Sequence, residues 1–319
     1  MLEINEKQQE GFIKVGRTSG NPNGWVLVFP GGIGDSYIAL SMLDSFTKHH
    51  DIKDGVNLVL AENQAPLSYL FPGNWHVCGI AGTERLWGHS QVFSPAQMFH
   101  RDVPFIVHPS FVADGRSVHL MEKRDFTFVD VFKYILRIPF ESAARQPEIS
   151  EETYAKAEKF AENNGVIKGE SVILFPSART IKSLPKIFWE ELVECLQKSG
   201  LKVFSNLVPN SGEDTLQGAT SLNFPIDWVI PLCEYAGFTV STLTGTAVVS
   251  SAAKARKIIV ARVDQKILSS LNNNDEAVAR SAHIWTMKKI GVGFSGVEVF
   301  FHDEDDFGQA ANLVSSSLI

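Results

Sequence analysis

One carboxylate in this sequence stands where it could act on a bound substrate. Asp35 ends the stretch Gly-Gly-Ile-Gly-Asp at residues 31–35, between an apolar run at 25–28 and an amphipathic run at 37–43. This order predicts a strand, a tight turn and a helix, with the backbone N–H groups of Gly32 and Gly34 close to a ligand. Ligands of open α/β sheets bind beyond the carboxyl ends of the strands, so Asp35 is a candidate general base. The alternative is that Asp35 only caps the helix.

A second segment is rich in positive charge. The apolar run at residues 172–175 leads into a loop with four candidate phosphate ligands, the hydroxyl of Ser177 and the cations Arg179, Lys182 and Lys186. Pro185 is typical of a first helical turn, so the cations stand beside a helix N-terminus. The helix dipole disfavours cations there, and their presence therefore predicts a bound anion such as a diphosphate. A solvated basic loop is the alternative.

A third segment combines hydroxyl groups with a glycine. The strand predicted at residues 237–241 is followed by four candidate phosphate contacts, Thr242, Thr244, Gly245 and Thr246. Hydroxyls and backbone N–H groups together suit phosphate oxygens. A capped helix with a tight turn is the alternative.

Residues 114–125 form a charged segment in the first half of the chain. Arg116 and His119 stand there beside Lys123 and Arg124. We predict that Arg116 and His119 bind an anionic acceptor, and a solvated loop is the alternative.

The glycine turn also partly matches a dinucleotide-binding fingerprint. Gly32 and Gly34 fit the first two glycines of G-x-G-x-x-G, and Glu62 could serve as the ribose-binding acid. The third glycine position holds Tyr37, which obstructs the close approach of helix and strand that the motif needs. A nicotinamide-dependent oxidoreductase is thus an alternative that Tyr37 disfavours.

The bulk composition excludes several classes of protein. A net charge of −7 argues against a surface that grips nucleic acid or an anionic membrane along its whole length. The three cysteines are far apart, and we interpret them as reduced core thiols rather than a metal site. The first residues are polar and lack the apolar core of a signal peptide, which predicts a cytoplasmic location. The signatures of zinc proteases and α/β-hydrolases, H-E-x-x-H and G-x-S-x-G, do not occur.

Strands and helices alternate along both halves of the chain. Strands are predicted near residues 25–29, 57–61, 76–80, 105–108, 172–175, 201–205, 221–224, 237–241, 257–261 and 297–301. Helices are predicted between them, among others at residues 36–49, 186–198 and 304–317. This alternation predicts parallel sheets with right-handed crossovers. We therefore predict an α/β protein of two Rossmann-like domains that face each other across a cleft, at residues 1–150 and 151–319.

The order of these motifs resembles the heptosyltransferases of bacterial lipopolysaccharide synthesis, the GT-B enzymes of glycosyltransferase family 9. That family opens with a strand and a Gly-Asp turn before an apolar helix, matched here by Gly34 and Asp35. Its mid-chain motif K-x-W-P-x-x-x-W is matched by residues 182–189, in which Leu184 replaces the first Trp.

A third family motif, D-T-G-x-x-H-x-A-A, is only partly retained. Residues 243–251 keep Thr244 and Gly245, but Leu243 and Val248 stand where the family has Asp and His. In the family this turn contacts the donor, so the replacements put specificity for ADP-heptose, and activity itself, in question. They favour the alternative of a non-catalytic nucleotide-sugar-binding subunit.

The resemblance implies a GT-B fold with an N-terminal acceptor domain and a C-terminal donor domain, whose last helix is able to pack back on the first domain. It implies metal-independent, inverting transfer of a sugar from a nucleoside diphosphate to a hydroxyl of a glycan or glycolipid of the lipopolysaccharide type. Asp35 would be the base and Lys182 the phosphate ligand. No cofactor and no nucleic acid are expected, and peripheral association with the inner membrane fits such an acceptor.

Overall fold

The computed structural model describes residues 14, 16, 18, 20–80, 100–101, 103–109, 120–121, 124–177, 184–206, 215–262, 286–301 and 306–319. The chain divides into two units. The first comprises Met1–Glu148 with Lys289–Gly291, and the second comprises Ile149–Lys288 with Val292–Ile319. The predicted division at residue 150 did not assign residues 289–291 to the first unit.

The first unit is built on a four-stranded parallel sheet in the order β3-β2-β1-β4. Its strands are β1 (Trp25–Val28), β2 (Val56–Ala61), β3 (Trp75–Ile80) and β4 (Phe105–Ile106). Every residue of β2 is buried, as expected of a parallel strand that is covered on both faces. Val28 pairs with Val59 on one side and with Ile106 on the other, which places β1 inside the sheet.

Two helices of the first unit follow the glycine turn. Helices α1 (Ile33–Ser41) and α2 (Leu43–His49) replace the single helix predicted at residues 36–49. The Ser41 hydroxyl donates to the Ile38 carbonyl at 2.7 Å, and back-bonding of this kind bends helices. A 3-10 helix (Glu62–Leu70) follows β2, and α3 spans Phe128–Leu136.

The second unit is built on a six-stranded parallel sheet in the order β10-β9-β8-β5-β6-β7. Its strands are β5 (Ser171–Phe175), β6 (Lys202–Asn206), β7 (Thr220–Leu222), β8 (Gly237–Thr242), β9 (Arg256–Arg262) and β10 (Val297–Phe301). Counted from β5, two strands extend to one side and three to the other, which is the strand order of doubly wound nucleotide-binding sheets. The prediction of parallel α/β sheets in both halves is confirmed.

The helices of the second unit pack their apolar residues against this sheet. They are α4 (Glu151–Asn163), α5 (Lys186–Lys198), α6 (Val229–Ala236), which follows a 3-10 turn, α7 (Gly245–Ser250) and α9 (Phe307–Leu318). The short helix α8 (Met287–Ile290) is divided between the units, since Lys289 and Ile290 belong to the first. Phe188, Trp189 and Leu192 of α5 lie in one buried cluster with Val172 and Val240 of the sheet. Burial of each large apolar side chain stabilises the fold by about 1.5–3 kcal/mol.

The last helix lies in the second unit. Ala311, Val314 and Leu318 of α9 belong to the same buried cluster as Phe188 and Leu192 of α5. The apolar stripe of α9 thus completes the core above the sheet of its own unit. The packing of this helix on the first domain, which the family resemblance allowed, stays an expectation.

Candidate active site

Each sheet has one point at which the strand order reverses. It lies between β1 and β4 in the first unit and between β5 and β8 in the second. Ligands of open parallel sheets bind beyond the carboxyl ends of the strands at such a point. The glycine turn follows β1, Ser177 follows β5, and Thr242 is the last residue of β8. Each unit thus carries predicted residues where its sheet topology favours ligand binding.

Asp35 lies in the first turn of α1, and one of its two carboxyl oxygens caps that helix. Its Oδ2 accepts a hydrogen bond from the backbone N–H of Gly32 at 2.8 Å, whereas Oδ1 accepts none from the described residues. Gly31 makes room for this arrangement, since a Cβ at that position would lie 2.6 Å from Cβ of Asp35. Helix capping therefore accounts for Oδ2 alone, and Oδ1 is available for another role.

The environment of Asp35 makes its carboxyl group a stronger base than usual. Burial raises the pKa of Asp35 to about 6, although the hydrogen bond from Gly32 acts in the opposite direction. The residue is only partly exposed, so protein atoms crowd the carboxyl group without covering it. A base with a pKa near the working pH is mostly ionised and still binds a proton well. Carboxyl groups perturbed in this way are concentrated at functional sites.

The glycines of the turn have different surroundings. Gly32 is exposed and its N–H is used by Asp35, whereas Gly34 is buried in the first turn of α1. Tyr37 is 5% exposed, and its ring meets that of Phe71 edge-on with centroids 5.1 Å apart. A packed tyrosine at this position keeps the helix from the close approach that a dinucleotide fingerprint requires.

The sequence analysis did not select two residues near this turn. Gln64 is buried and forms hydrogen bonds with the turn, through contacts that no local pattern reveals. His108 follows β4, the neighbour of β1, and Val107 N donates to the Val28 carbonyl at 2.8 Å. Burial lowers the pKa of His108 to about 4, so its imidazole is neutral at pH 7. The sequence does contain one signal that could have identified His108, namely a histidine at the end of a predicted strand.

In the second unit Thr242 and Thr244 play different parts. Thr242 is buried, and its hydroxyl donates to the carbonyls of Ser177 at 3.0 Å and Phe175 at 3.2 Å. It therefore joins the end of β8 to the end of β5 and to the loop that follows it. The contact of Thr242 with substrate stays a prediction. Thr244 precedes α7, but its hydroxyl makes no capping hydrogen bond. Among the described residues that buried hydroxyl has no hydrogen-bond partner.

The remaining predicted residues are only partly described. Gly245 and Thr246 are partly exposed beside Thr244. Lys186 is exposed at the start of α5, and its Nζ lies 3.7 Å from Oε1 of Glu190. The residues predicted as the centre of the phosphate site and of the acceptor site lie outside the described part of the chain: Arg116, His119, Arg179 and Lys182.

The described part of the chain contains no cluster of three or more His, Cys, Asp or Glu side chains placed to hold a metal ion. Cys78 and Cys233 are buried free thiols, and Cys195 is partly buried. None of the helices described combines the length and the apolar character needed to cross a membrane.

Comparisons with known proteins identify the fold through structure and not through sequence. No protein-family model matches the sequence, and no curated protein matches it significantly. The solved structure of E. coli ADP-heptose LPS heptosyltransferase II superposes with a TM-score of 0.58 at 12% identity, covering 92% of this chain and 98% of that one. The chain has the fold of these glycosyltransferases.

Further solved structures agree. A glycosyltransferase of family 9 from Veillonella parvula gives a TM-score of 0.53 at 10% identity and covers 92% of this chain and 91% of its own. E. coli heptosyltransferase WaaC with ADP gives 0.51 at 16% identity and covers 91% and 98%. At these identities the likeness establishes the architecture, and the residues described above must carry any argument about activity.

Proposed function

We propose that this protein is a glycosyltransferase. It would transfer a sugar from a nucleoside diphosphate to a hydroxyl of a glycan or of a glycolipid of the lipopolysaccharide type, with inversion and without a metal ion. One observation carries the proposal: a carboxyl group whose pKa is raised to about 6 stands at the reversal point of the first sheet. It does so in a chain with the fold of sugar-transferring enzymes.

In this mechanism Asp35 takes the proton of the acceptor hydroxyl. The acceptor oxygen forms a bond to the anomeric carbon while the bond from that carbon to the diphosphate oxygen breaks, so the configuration inverts. The proton passes to the Asp35 carboxylate, and the diphosphate leaves with the bonding electrons. Oδ1 is the candidate proton acceptor because Oδ2 already accepts from Gly32.

The leaving diphosphate would be stabilised in the second unit. Negative charge that develops on a leaving group is the main electrostatic demand of such a reaction. We assign this role to Arg179 and Lys182 with Lys186, and to the hydroxyl and N–H groups of the turn, Ser177, Thr244, Gly245 and Thr246. The buried hydroxyl of Thr244 supports the assignment, since an unpaired buried hydroxyl costs about 1–3 kcal/mol and a phosphate oxygen would pair it.

The acceptor site remains a prediction from the sequence. We assign Arg116 and His119 to an anionic acceptor, such as the phosphate or carboxylate groups of a glycolipid core. Such an acceptor would hold the enzyme at the inner membrane on its cytoplasmic side.

A non-catalytic nucleotide-sugar-binding protein is the second candidate. Leu243 and Val248 stand where the resembling family has Asp and His, and they are only 7% and 5% exposed. Two apolar side chains in these positions favour a site that has lost donor contacts. Asp35 argues for catalysis, because a protein that only binds nucleotide gains nothing from a carboxyl group that is costly to ionise.

The test compares Asp35→Asn with Asp44→Asn, a matched change on an exposed carboxylate that pairs with Arg145. Release of nucleoside diphosphate is followed with ADP-, UDP-, GDP- and CDP-sugars and a lipopolysaccharide-type acceptor, with and without EDTA. We expect Asp35→Asn to lower kcat by about 10²–10⁴-fold with little change in donor Kd. Asp44→Asn should stay close to the parent, and EDTA should have no effect.

The pH profile adds an independent check. The acid limb of kcat/KM should fall near pH 6, where Asp35 titrates, and His108 cannot account for it because burial holds its pKa near 4. Binding of a donor without turnover in the parent would favour the non-catalytic candidate. Full turnover by Asp35→Asn would remove Asp35 from the mechanism.

A further inference from the structure

We propose that Gln64 is a positioning residue for Asp35, holding the peptide group between Gly31 and Gly32 so that its N–H points at the carboxyl group. The inference deepens the proposed function, and its consequence for catalysis rests on that function. The contacts that carry it all lie in the first unit, between the 3-10 helix that follows β2 and the turn that follows β1.

Both ends of the Gln64 side-chain amide are used on the turn. Gln64 is 3% exposed, and its Nε2 donates to the Gly31 carbonyl at 3.1 Å. The hydroxyl of Ser36, which is fully buried, donates to Oε1 of Gln64 at 2.7 Å. A carbonyl oxygen only accepts hydrogen bonds, so the NH₂ group must face Gly31 and the oxygen must face Ser36. The orientation of the amide is therefore fixed by its two partners.

The link from Gln64 to Asp35 runs through a single peptide group. The carbonyl of Gly31 and the N–H of Gly32 belong to the same planar unit, and this N–H donates to Oδ2 of Asp35 at 2.8 Å. Ser36, Gln64, the peptide and Asp35 thus form a continuous series of three hydrogen bonds. Hydrogen bonds in series polarise and strengthen one another.

A peptide group between two glycines needs a hydrogen bond of this kind to hold its orientation. Neither Gly31 nor Gly32 has a Cβ to restrict rotation about the bonds beside this peptide. The space next to Gly31 is occupied by the Asp35 side chain, 2.6 Å from where a Cβ would stand, so a bulkier residue cannot supply the rigidity. With the Gly31 carbonyl released, the peptide can turn and withdraw its N–H from Asp35.

The consequence concerns the titration of Asp35. The hydrogen bond from Gly32 favours the ionised carboxylate and lowers the pKa of Asp35 against the effect of burial. Loss of this bond should therefore raise the pKa further above about 6 and reduce the fraction of active base at neutral pH.

The experiment removes Gln64 and, as a control, a second buried amide of the same unit. Asn57 is fully buried and holds another turn by both ends: its Oδ1 accepts from Asn21 N at 2.8 Å, and its Nδ2 donates to the Asn21 carbonyl at 2.8 Å. Gln64→Met and Asn57→Leu each replace an amide by an apolar side chain of similar size. The Asp35 carboxyl carbon is titrated by NMR in the full-length chain, with its signal assigned by its loss in Asp35→Asn.

We expect Gln64→Met to raise the pKa of Asp35 by about one unit and Asn57→Leu to leave it unchanged. Equal titration curves in the two variants would overturn the proposal, whatever their effect on stability. If Gln64→Met does not fold, Ser36→Ala serves in its place, because it removes the hydrogen bond that holds Oε1 of Gln64 and so weakens the restraint on the side chain. It should move the titration in the same direction by less, and an unmoved curve contradicts the proposal equally.

Turnover supplies the second readout. For a rise of about one pKa unit, the deficit of Gln64→Met in kcat/KM should be about fivefold at pH 6 and should nearly vanish at pH 8, where the base is ionised again. A loss of equal size at both pH values would point to a merely structural role and would count against positioning. Because the NMR titration needs no substrate, a parent protein without any turnover would defeat the proposed function and leave the coupling of Gln64 to Asp35 fully tested.

Discussion

At the level of single residues, Asp35 is both a helix cap and a group with raised proton affinity. The sequence allowed either role, since a carboxylate after a glycine turn fits both. The structure separates them by assigning the capping hydrogen bond to Oδ2. The pKa could not be predicted from the sequence, because it depends on burial by side chains that are distant along the chain.

The raised pKa of Asp35 predicts an unusual dependence of stability on pH. Asp35 has a pKa of about 6 in the folded chain and one near 3.8 when exposed, so its ionisation costs folding free energy. That cost is absent below about pH 4 and complete above pH 6. Asp35→Asn should therefore be more stable than the parent above pH 6, by about 1–3 kcal/mol, with the difference vanishing near pH 4.

Urea unfolding at several pH values between 4 and 8 measures this difference. If Asp35 were only a cap, replacing it by a neutral residue would remove a favourable interaction with the helix dipole and cost about 0.3–1 kcal/mol at neutral pH. A variant that is less stable than the parent at pH 7 would thus contradict the functional interpretation of Asp35.

At the level of elements, the residues that begin and end a helix decided how accurately its bounds could be predicted. Helix α5 has the predicted bounds, Lys186–Lys198, because Pro185 and Gly200 mark its two ends. Helix α8, Met287–Ile290, was missed because four residues are too few for a helical period. The link made by Thr242 was not predicted for another reason: its partners Phe175, at the end of β5, and Ser177, just beyond it, are 67 and 65 residues away along the chain.

Thr242 predicts a link between two elements that can be tested by a pair of variants. Thr242→Val removes the hydroxyl that holds the loop beyond β5 to the end of β8. Thr239→Val is the matched control, since Thr239 lies in the same strand and donates to the Ile173 carbonyl at 3.0 Å, further from the carboxyl edge. Each variant should lose about 1 kcal/mol of stability. Only Thr242→Val should weaken binding of nucleoside diphosphate, by about fivefold to twentyfold.

Isothermal titration calorimetry with the nucleotide that binds best gives both affinities, and thermal unfolding gives both stabilities. Equal nucleotide affinities in the two variants would show that Thr242 contributes to folding alone. Weakening in both would mean that any hydrogen bond between β5 and β8 affects the loops, and Thr242 would have no special part.

At the level of the whole molecule, the fold was easier to predict than the site. Alternating strands and helices with turn residues between them suffice for parallel α/β sheets, and 10–16% identity preserves that pattern in the solved structures. A site needs particular residues at particular places. Leu243, which follows β8, and Val248, in α7, differ from the residues of the family that the chain resembles. The contacts of Gln64 with Ser36 and Gly31 span 28 and 33 residues.

Ligand-dependent stability of the whole chain distinguishes the candidate functions. A nucleoside diphosphate bound only by the folded state at one hundred times its Kd adds about 2.7 kcal/mol, or roughly 5–10 °C in Tm for a unit of this size. In a panel of ADP, UDP, GDP, CDP and NAD, we expect one diphosphate to produce this shift and NAD to produce none. The shift should be the same in Asp35→Asn, because in the proposed mechanism Asp35 acts on the acceptor.

Thr244→Val tests the donor site in the same assay. The diphosphate shift should shrink, while the ligand-free chain is unchanged or slightly stabilised, since the variant removes a buried hydroxyl that has no partner among the described residues. A shift with NAD alone would instead establish the oxidoreductase alternative despite Tyr37, and a full diphosphate shift in Thr244→Val would remove that hydroxyl from the donor site.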